Sequence, residues 1–476
     1  MESILSPKNT EFLIFGILLA AGLFTRFFGI GYQSIWIDEG STFYFSRFTF
    51  SELMSIIEPN SPVYHVMEGL SVKLLGQTEF GLRFVSALAG ALTVPLAYVL
   101  SMKLFGNRPV AIITSALFLM SPICLFYGQE ARGYMLVFLL FMLQTLVLLN
   151  ALETRRNLMW VLFAAISAIQ FVLQYSGIIA TFTLYLYVLY RSCKDARSKE
   201  YKPFIQMIWS GILFLAMISP LLVKYIQDST SSTLEHTQWS WCFVGIEYTI
   251  NQLNDFLFGF IISAVMFVLV IIGFCLCFRE KRETAIMLGI IMFFPLIFST
   301  VYSFSTNMAP RYVLWSATAF YLLIPFFLTR VDPKVLVNRK TVIAISAVLV
   351  ILAAAVLPVY YTEVTKEDFR AGAKALSENV QSGDLVLYAV ASENAVYGSF
   401  SFYYDPVKDG IETKGINSKE ELWSYCDSGS YDDVYVLILA DYDPGDYLLH
   451  VDSPNCEKIC EAYRINVFKI TGPLPH

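Results

Sequence analysis

The residues in this chain best equipped for chemistry form short polar clusters set in apolar surroundings. Trp36-Ile37-Asp38-Glu39-Gly40 places two carboxylates in tandem, and Asn60-Ser61-Pro62-Val63-Tyr64-His65 follows before the next long apolar run. Tyr127-Gly128-Gln129-Glu130-Ala131-Arg132-Gly133-Tyr134 makes one polar turn between two apolar runs, and Arg311-Tyr312 opens another. A positioned carboxylate can take the proton of a hydroxyl nucleophile, and a guanidinium fork matches phosphate oxygens. Tandem acids with arginines at two helix starts suit a base plus an anion clamp. That is equipment for transfer chemistry on a phosphate-bearing substrate.

Each cluster also has a plainer role. Asp38-Glu39 suits a helix N-terminus stabilised by its dipole. Glu130 and Arg132 lie two apart, do not face each other on a helix, and suit a solvated turn. Arg311, and Arg26 within the first apolar run, suit snorkelling toward headgroup phosphates. His65 and Tyr64 suit the membrane interface, as does the pair Trp239 and Trp241. What joins the clusters is their side of the membrane, which depends on the elements that carry them.

Of the 476 residues, 56% are hydrophobic and only 15% are charged, well below the roughly 25% charge of soluble domains. The mean hydropathy is +0.58. Such a composition folded in water would expose large apolar patches, so the chain reads as a polytopic α-helical membrane protein. A net charge of −6 without a basic stripe argues against nucleic-acid binding. Eight cysteines without a CxxC pair argue against a zinc site.

Apolar runs of about 20 residues predict about eleven spans, near 12–30, 82–105, 109–127, 134–152, 158–174, 177–190, 204–223, 255–278, 284–302, 312–329 and 341–361. Residues 62–76 are too short to cross and mix Val63, Val66, Leu70 and Leu74 with Glu68, Ser71 and Lys73, which predicts an interfacial amphipathic helix. With the N-terminus cytoplasmic, Arg155, Arg156, Arg191, Lys194, Arg197, Arg279, Lys281, Arg282, Arg330 and Lys334 fall inside, as the positive-inside rule requires. All the clusters above then fall outside. The long first run, with no cleavage motif after it, reads as a retained span.

Residues 362–476 hold 20 acids and 9 bases, leaving 19 acids and 24 bases upstream, so the expected boundary separates a transmembrane domain, 1–361 with a first outer loop 31–80, from an acidic extracytoplasmic domain, 362–476. Within the latter, 367–381 predicts a helix, and 385–390, 434–439 and 463–470 predict strands, the pattern of a small α/β layer. Cys426, Cys456 and Cys460 would allow one disulfide and a spare thiol in an oxidising compartment. The Asp441, Asp443 and Asp446 run reads as a solvated turn more than a calcium loop.

From Ile35 to Leu152 the chain resembles the polyprenyl-phosphate-sugar-dependent glycosyltransferases of the GT-C type, specifically the glycosyltransferase family 39 set of protein O-mannosyltransferases, aminoarabinose transferases and rhizobial galacturonosyltransferase-like enzymes. The residues that carry the resemblance are Trp36 to Glu39, Ser61 to His65, Glu79-Phe80-Gly81-Leu82-Arg83-Phe84-Val85-Ser86-Ala87-Leu88, Ser121-Pro122 and Gln129 to Tyr134. Arg311-Tyr312 and Glu367-Asp368-Phe369-Arg370 echo it further on. One departure is that Asn60-Ser61-Pro62-Val63-Tyr64 stands where the family has a His before P-P-L-Y.

The resemblance implies a GT-C fold, a lipid-linked donor entering from the bilayer, and Asp38 activating the acceptor. The expected reaction is inverting transfer of a sugar from a polyprenyl (dolichyl) monophosphate to a hydroxyl of a protein, lipid or glycan on the outer membrane face. Asp38 and Glu39 are the expected catalytic residues, with Glu39 orienting Arg132 or a sugar hydroxyl. Tyr64, His65, Glu130, Arg132, Tyr134, Arg311 and Tyr312 are the expected substrate contacts. A monophosphate held by arginines requires neither a metal nor another cofactor. The competing class is a transporter or flippase of an anionic lipid-linked sugar. Such proteins carry charge near the bilayer midplane and internal repeats, whereas these spans have almost no mid-span charge and no evident repeat.

Overall fold

The computed structural model describes residues 7–56, 62–231, 260–302, 310–328, 361–362, 364–389, 393–439 and 448–474. They fall into two compact units. The first comprises Met1–Phe28, Phe50–Tyr64 and Val85–Pro358, and the second Gly29–Thr49, His65–Phe84 and Val359–His476. Gly29–Thr49 and His65–Phe84 of the first loop therefore group with the C-terminal segment, while Phe50–Tyr64 stay in the first unit.

The first unit is helical. It contains α1 (Pro7–Phe27), and the second contains α2 (Ile37–Phe45). The chain continues through α3 (Phe50–Ser55), α4 (Pro62–Leu75), α5 (Glu79–Phe105), α6 (Arg108–Met120), α7 (Pro122–Gly128), α8 (Tyr134–Thr154), α9 (Asn157–Leu173), α10 (Gly177–Arg197), α11 (Lys202–Ser231), α12 (Phe260–Glu280) and α13 (Arg282–Tyr302). A 3-10 segment, Pro310–Ser316, leads into α14 (Ala317–Leu328). Six stretches among the described residues are long and apolar enough to cross a membrane: Asn9–Phe27, Glu79–Phe105, Tyr134–Thr154, Lys202–Ile226, Arg282–Ser299 and Arg311–Leu328. Phe12, Ile17 and Phe24 of α1 and Ile205, Ile212 and Val223 of α11 are exposed, as lipid-facing residues should be. The protein is a multi-pass membrane protein. The expected span 341–361 lies, but for Tyr361, outside the described residues.

The run expected as one span at 109–127 is two helices, α6 and α7. Pro122 has no N–H to give the carbonyl of Phe118, so the helix breaks there. Ser121 caps the new start by accepting from the Cys124 N–H at 3.2 Å. The orphaned carbonyls are met by Arg26, which donates to Phe118 O at 2.6 Å and Leu119 O at 2.5 Å. Arg26 is fully buried rather than snorkelling outward.

Inside the bundle, α8 and α9 are joined by a polar chain. Gln170 donates to Gln144 Oε1 at 2.7 Å, and Gln144 donates to Ser167 Oγ at 2.6 Å, so these amides satisfy one another away from water. The helix at 62–75 has the expected amphipathic pattern. Val66, Leu70 and Leu74 are exposed while Tyr64, His65, Glu68 and Ser71 are buried, so its apolar face points outward, as lipid contact demands.

The second unit contains a five-stranded sheet in the order β2-β1-β3-β5-β4, from β1 (Leu385–Ala389), β2 (Glu412–Ile416), β3 (Val434–Leu439), β4 (Cys456–Ala462) and β5 (Ile465–Ile470). β1 runs parallel to β2 and β3, whereas β5 is antiparallel to both β3 and β4. Side chains alternate across the pleat. Val386, Tyr388, Tyr435, Leu437, Ile465 and Val467 pack against α15 (Phe369–Asn379) and α16 (Glu393–Tyr403). Leu385, Leu387, Val436, Ile438, Phe468 and Ile470 face the other way, toward Leu422 of α17 (Lys419–Asp427). Asp368 caps α15 by accepting from the Ala371 N–H at 3.1 Å. The α/β expectation holds, with β2 and β4 added. Cys426, Cys456 and Cys460 are all free thiols rather than containing a disulfide. The Asp441 to Asp446 run lies outside the described residues.

Candidate functional site

The cationic candidates gather in the first unit. Tyr64 and Ser86 share a hydrogen bond at 3.1 Å, and Ser86 Oγ donates to the carbonyl of Arg132 at 2.9 Å, which fixes the polar turn after α7 to α5. The Arg132 N–H bonds the Glu130 carbonyl at 2.8 Å, and both side chains are buried. Gln129 braces the same turn by donating to the carbonyls of Arg26 and Phe28 at 2.9 and 2.8 Å.

Two guanidiniums converge on Tyr134, the first residue of α8. The Cζ atoms of Arg132 and Arg311 each lie 6.0 Å from its ring centroid. Arg311 Nε also donates to its hydroxyl at 3.1 Å. Tyr312 lies against Tyr134 at 6.0 Å between centroids, and Arg311 Cζ lies 5.8 Å from the Tyr312 ring. Electron-rich ring faces hold guanidiniums without neutralising them. The arrangement thus brings two guanidiniums to one aromatic ring. Of the expected contacts, Tyr64, Glu130, Arg132, Tyr134, Arg311 and Tyr312 all belong to this unit.

The carboxylates belong to the second unit. Asp38 and Glu39 occupy the first turn of α2, but their environments differ. Asp38 is half-buried, whereas Glu39 is wholly buried. Arg83 grips Glu39 as a fork, with Nε to Oε1 at 2.7 Å and Nη2 to Oε2 at 2.7 Å. Lys366 Nζ adds a bond to Oε2 at 3.2 Å, and the Trp36 N–H another at 3.4 Å. Arg83 also donates to the carbonyls of Ile30, Gln33 and Ser34 at 2.7 to 2.9 Å, which staples the loop before α2. The expected partner of Glu39 is Arg132 or a sugar hydroxyl; the partners found are Arg83 and Lys366. The Glu39 carboxylate is therefore engaged in an ion-pair network that holds the loop before α2. His65 is buried, with its ring 5.4 Å from that of Phe45 at the end of α2.

The C-terminal segment holds the same loop. Arg370 donates to the carbonyl of Gly31 and to Glu79, both at 2.7 Å. The Thr365 N–H meets Gln33 Oε1 at 3.1 Å, and the Ile35 N–H meets the hydroxyl of Tyr403 at 2.9 Å. Burial pushes the Tyr403 phenol up to about 12. α2 and α16 cross at Gly40 and Gly398, where a Cβ on Gly398 would come within 2.1 Å of the Gly40 carbonyl. Sequence reasoning did not single out Arg83 and Lys366 as the partners of Glu39. The pairing of an isolated Arg inside an apolar helix start with a tandem acid is the signal that could have found Arg83. Among the described residues no group of three or more His, Cys, Asp or Glu side chains is arranged to hold a metal.

The chain shares its fold with solved membrane proteins. ArnT from Cupriavidus metallidurans, solved bound to undecaprenyl phosphate, matches with a TM-score of 0.64 at 14% identity, over 95% of this chain and 97% of its own. The oligosaccharyltransferase AglB from Archaeoglobus fulgidus, solved with an inhibitory peptide and a dolichol-phosphate, matches with a TM-score of 0.56 at 10% identity, over 91% of this chain and 70% of its own. Residues 59–223 match the family described as dolichyl-phosphate-mannose-protein mannosyltransferase. An uncharacterised protein of Aquifex aeolicus (strain VF5) is 23% identical over 366 residues, 73% of this chain and 70% of its own.

Proposed function

We propose that the protein is an inverting glycosyltransferase that moves a sugar from a polyprenyl monophosphate to a hydroxyl acceptor, at the extracytoplasmic membrane face. The observation that carries this reading is the convergence of Arg132 and Arg311 on Tyr134. Two guanidiniums beside one aromatic ring suit the phosphodiester of a lipid-linked sugar and the polyprenyl phosphate that leaves it. The lipids named for the ArnT and AglB structures, undecaprenyl phosphate and dolichol-phosphate, support a donor of that class.

In this mechanism Asp38 takes the proton of the acceptor hydroxyl as its oxygen attacks the anomeric carbon. The bond from that carbon to the phosphate oxygen breaks, and its electron pair leaves with the lipid phosphate. Arg132 and Arg311 stabilise the charge gained there, an interaction that strengthens toward the transition state. Proton acceptance by a positioned carboxylate is typically worth about 10²–10⁴-fold. The acceptor hydroxyl belongs to a protein, lipid or glycan.

The test is purified protein in liposomes offered a polyprenyl-phosphate sugar and a mixed acceptor pool. Release of free polyprenyl phosphate with stoichiometric glycosylated product is the expected result. Intact donor crossing to the other leaflet, without release under any acceptor condition, would replace this reading with a flippase.

A further inference from the structure

We infer that Lys366 is a positioning residue for the carboxylate of Asp38, acting through Glu39, so that the segment opening the C-terminal domain helps to set the geometry of transfer. The inference rests on the reading of Asp38 as the base.

Lys366 is buried, with 2% of its side chain exposed, and so is its partner Glu39. Removing an ammonium from water is costly unless it is paired. Charge neutralisation of Glu39 does not require it, because Arg83 already provides a bidentate partner. What Lys366 adds is a tie from the same carboxylate to a second stretch of chain. Arg83 ties Glu39 to the carbonyls of Ile30, Gln33 and Ser34, all within the first loop, whereas Lys366 ties it to residues 364–370.

The helix geometry turns that tie into an orientation. Successive residues on an α-helix point about 100° apart, so tying Glu39 both to the first loop and to residues 364–370 restrains the rotation of the first turn of α2. The direction of Asp38, the preceding residue, follows. The neighbouring contacts act in the same sense. Thr365 N–H on Gln33, Arg370 N–H on Ser34 Oγ at 3.2 Å, Tyr403 on Ile35 and the Gly398 crossing at Gly40 hold the approach to α2 and its body. Lys366 is the member of this set that reaches the residue beside the proposed base.

The experiment compares Lys366→Met and Lys366→Arg with the wild-type protein in detergent and in liposomes. The first readout is hydrogen–deuterium exchange of peptides covering 37–45, which needs no activity. The second is the split between kcat and donor KM. Lys366→Met is expected to raise exchange in α2 and to lower kcat by about 10- to 100-fold, the scale of a small misplacement of a reacting group, with donor KM within about 2-fold. Lys366→Arg, which keeps the cation, is expected to restore most of both. Unchanged exchange in Lys366→Met would overturn the inference. So would a parallel loss of kcat and donor affinity that Lys366→Arg does not relieve, because that marks a general structural role. If the wild-type protein releases no polyprenyl phosphate, the proposed function falls, and the exchange of 37–45 still decides whether Lys366 holds α2.

Discussion

The guanidinium of Arg83 meets the carboxylate of Glu39 through two parallel bonds of 2.7 Å, and neither side chain is more than 1% exposed. Breaking such a pair from one side strands a buried charge, at a cost of about 3–5 kcal/mol. Glu39→Gln and Arg83→Met should therefore each lower the melting temperature in detergent markedly. Arg83→Lys should not rescue, because an ammonium cannot reproduce the fork or the three carbonyl bonds. The double variant Glu39→Gln with Arg83→Met should be more stable than the sum of the single losses implies. Additive losses would mean that the pair is not the unit holding this loop.

That pair also marks what the sequence could reveal. Length and hydropathy sufficed for a helical membrane protein with a terminal α/β layer, and β3 falls at the expected 434–439. The tandem Asp38-Glu39 and the arginines of the two polar turns were visible as residue types. Their division of labour was not, because it depends on which neighbour a side chain meets. Glu39 is paired by Arg83, 44 residues later, and by Lys366, 327 residues later. Periodicity reports the face of a helix, whereas ion pairing across such separations is decided by tertiary packing. The strand β2, reading Glu-Thr-Lys-Gly-Ile, escaped for a related reason: an edge strand with little burial lacks the apolar signal.

Asp38 is the proposed base for proton transfer. Asp38→Asn keeps size and hydrogen bonding but cannot accept a proton, so transfer should fall by at least about 10²-fold while donor binding survives. Single-turnover release of polyprenyl phosphate measures the first, and retention of radiolabelled donor measures the second. Full activity in Asp38→Asn alongside an inactive but folded Glu39→Gln would exchange the two roles.

Arg26 and the missing N–H of Pro122 form another testable unit. Arg26→Met removes two charge-assisted bonds to the Phe118 and Leu119 carbonyls, each of a kind worth about 1.5–3 kcal/mol. The variant should unfold at lower temperature. Adding Pro122→Ala supplies a backbone N–H within reach of the Phe118 carbonyl and should recover part of the loss. No recovery would show that the guanidinium serves something other than the break between α6 and α7.

The proposed orientation puts the start of α9 in the cytoplasm and β2 outside. In a background without native cysteines, Asn157→Cys and Thr413→Cys should react with an impermeant thiol reagent from opposite faces only. Labelling of both from one face would mean that the number of spans between them is miscounted.

The arginines separate enzyme from transporter. If Arg132 and Arg311 stabilise a leaving phosphate, their contacts matter more in the transition state than in the donor complex, so substitution should act chiefly on turnover. Arg311→Lys keeps the charge but loses the planar fork and the Nε bond to Tyr134. It should bind donor nearly as well and transfer more slowly. Arg311→Ala should weaken both steps, because a lipid phosphate then loses one of its two cations. Tyr134→Phe removes only the hydroxyl that accepts from Arg311 while keeping the ring beside both guanidiniums, so its loss should be smaller than that of Arg311→Ala and fall on turnover. A transporter breaks no bond, and in it all three variants would change the rate at which intact donor crosses the bilayer without any release of polyprenyl phosphate. Product release that tracks the order wild type, Tyr134→Phe, Arg311→Ala supports the phosphate clamp. Release unchanged in Arg311→Ala would remove these arginines from the chemistry.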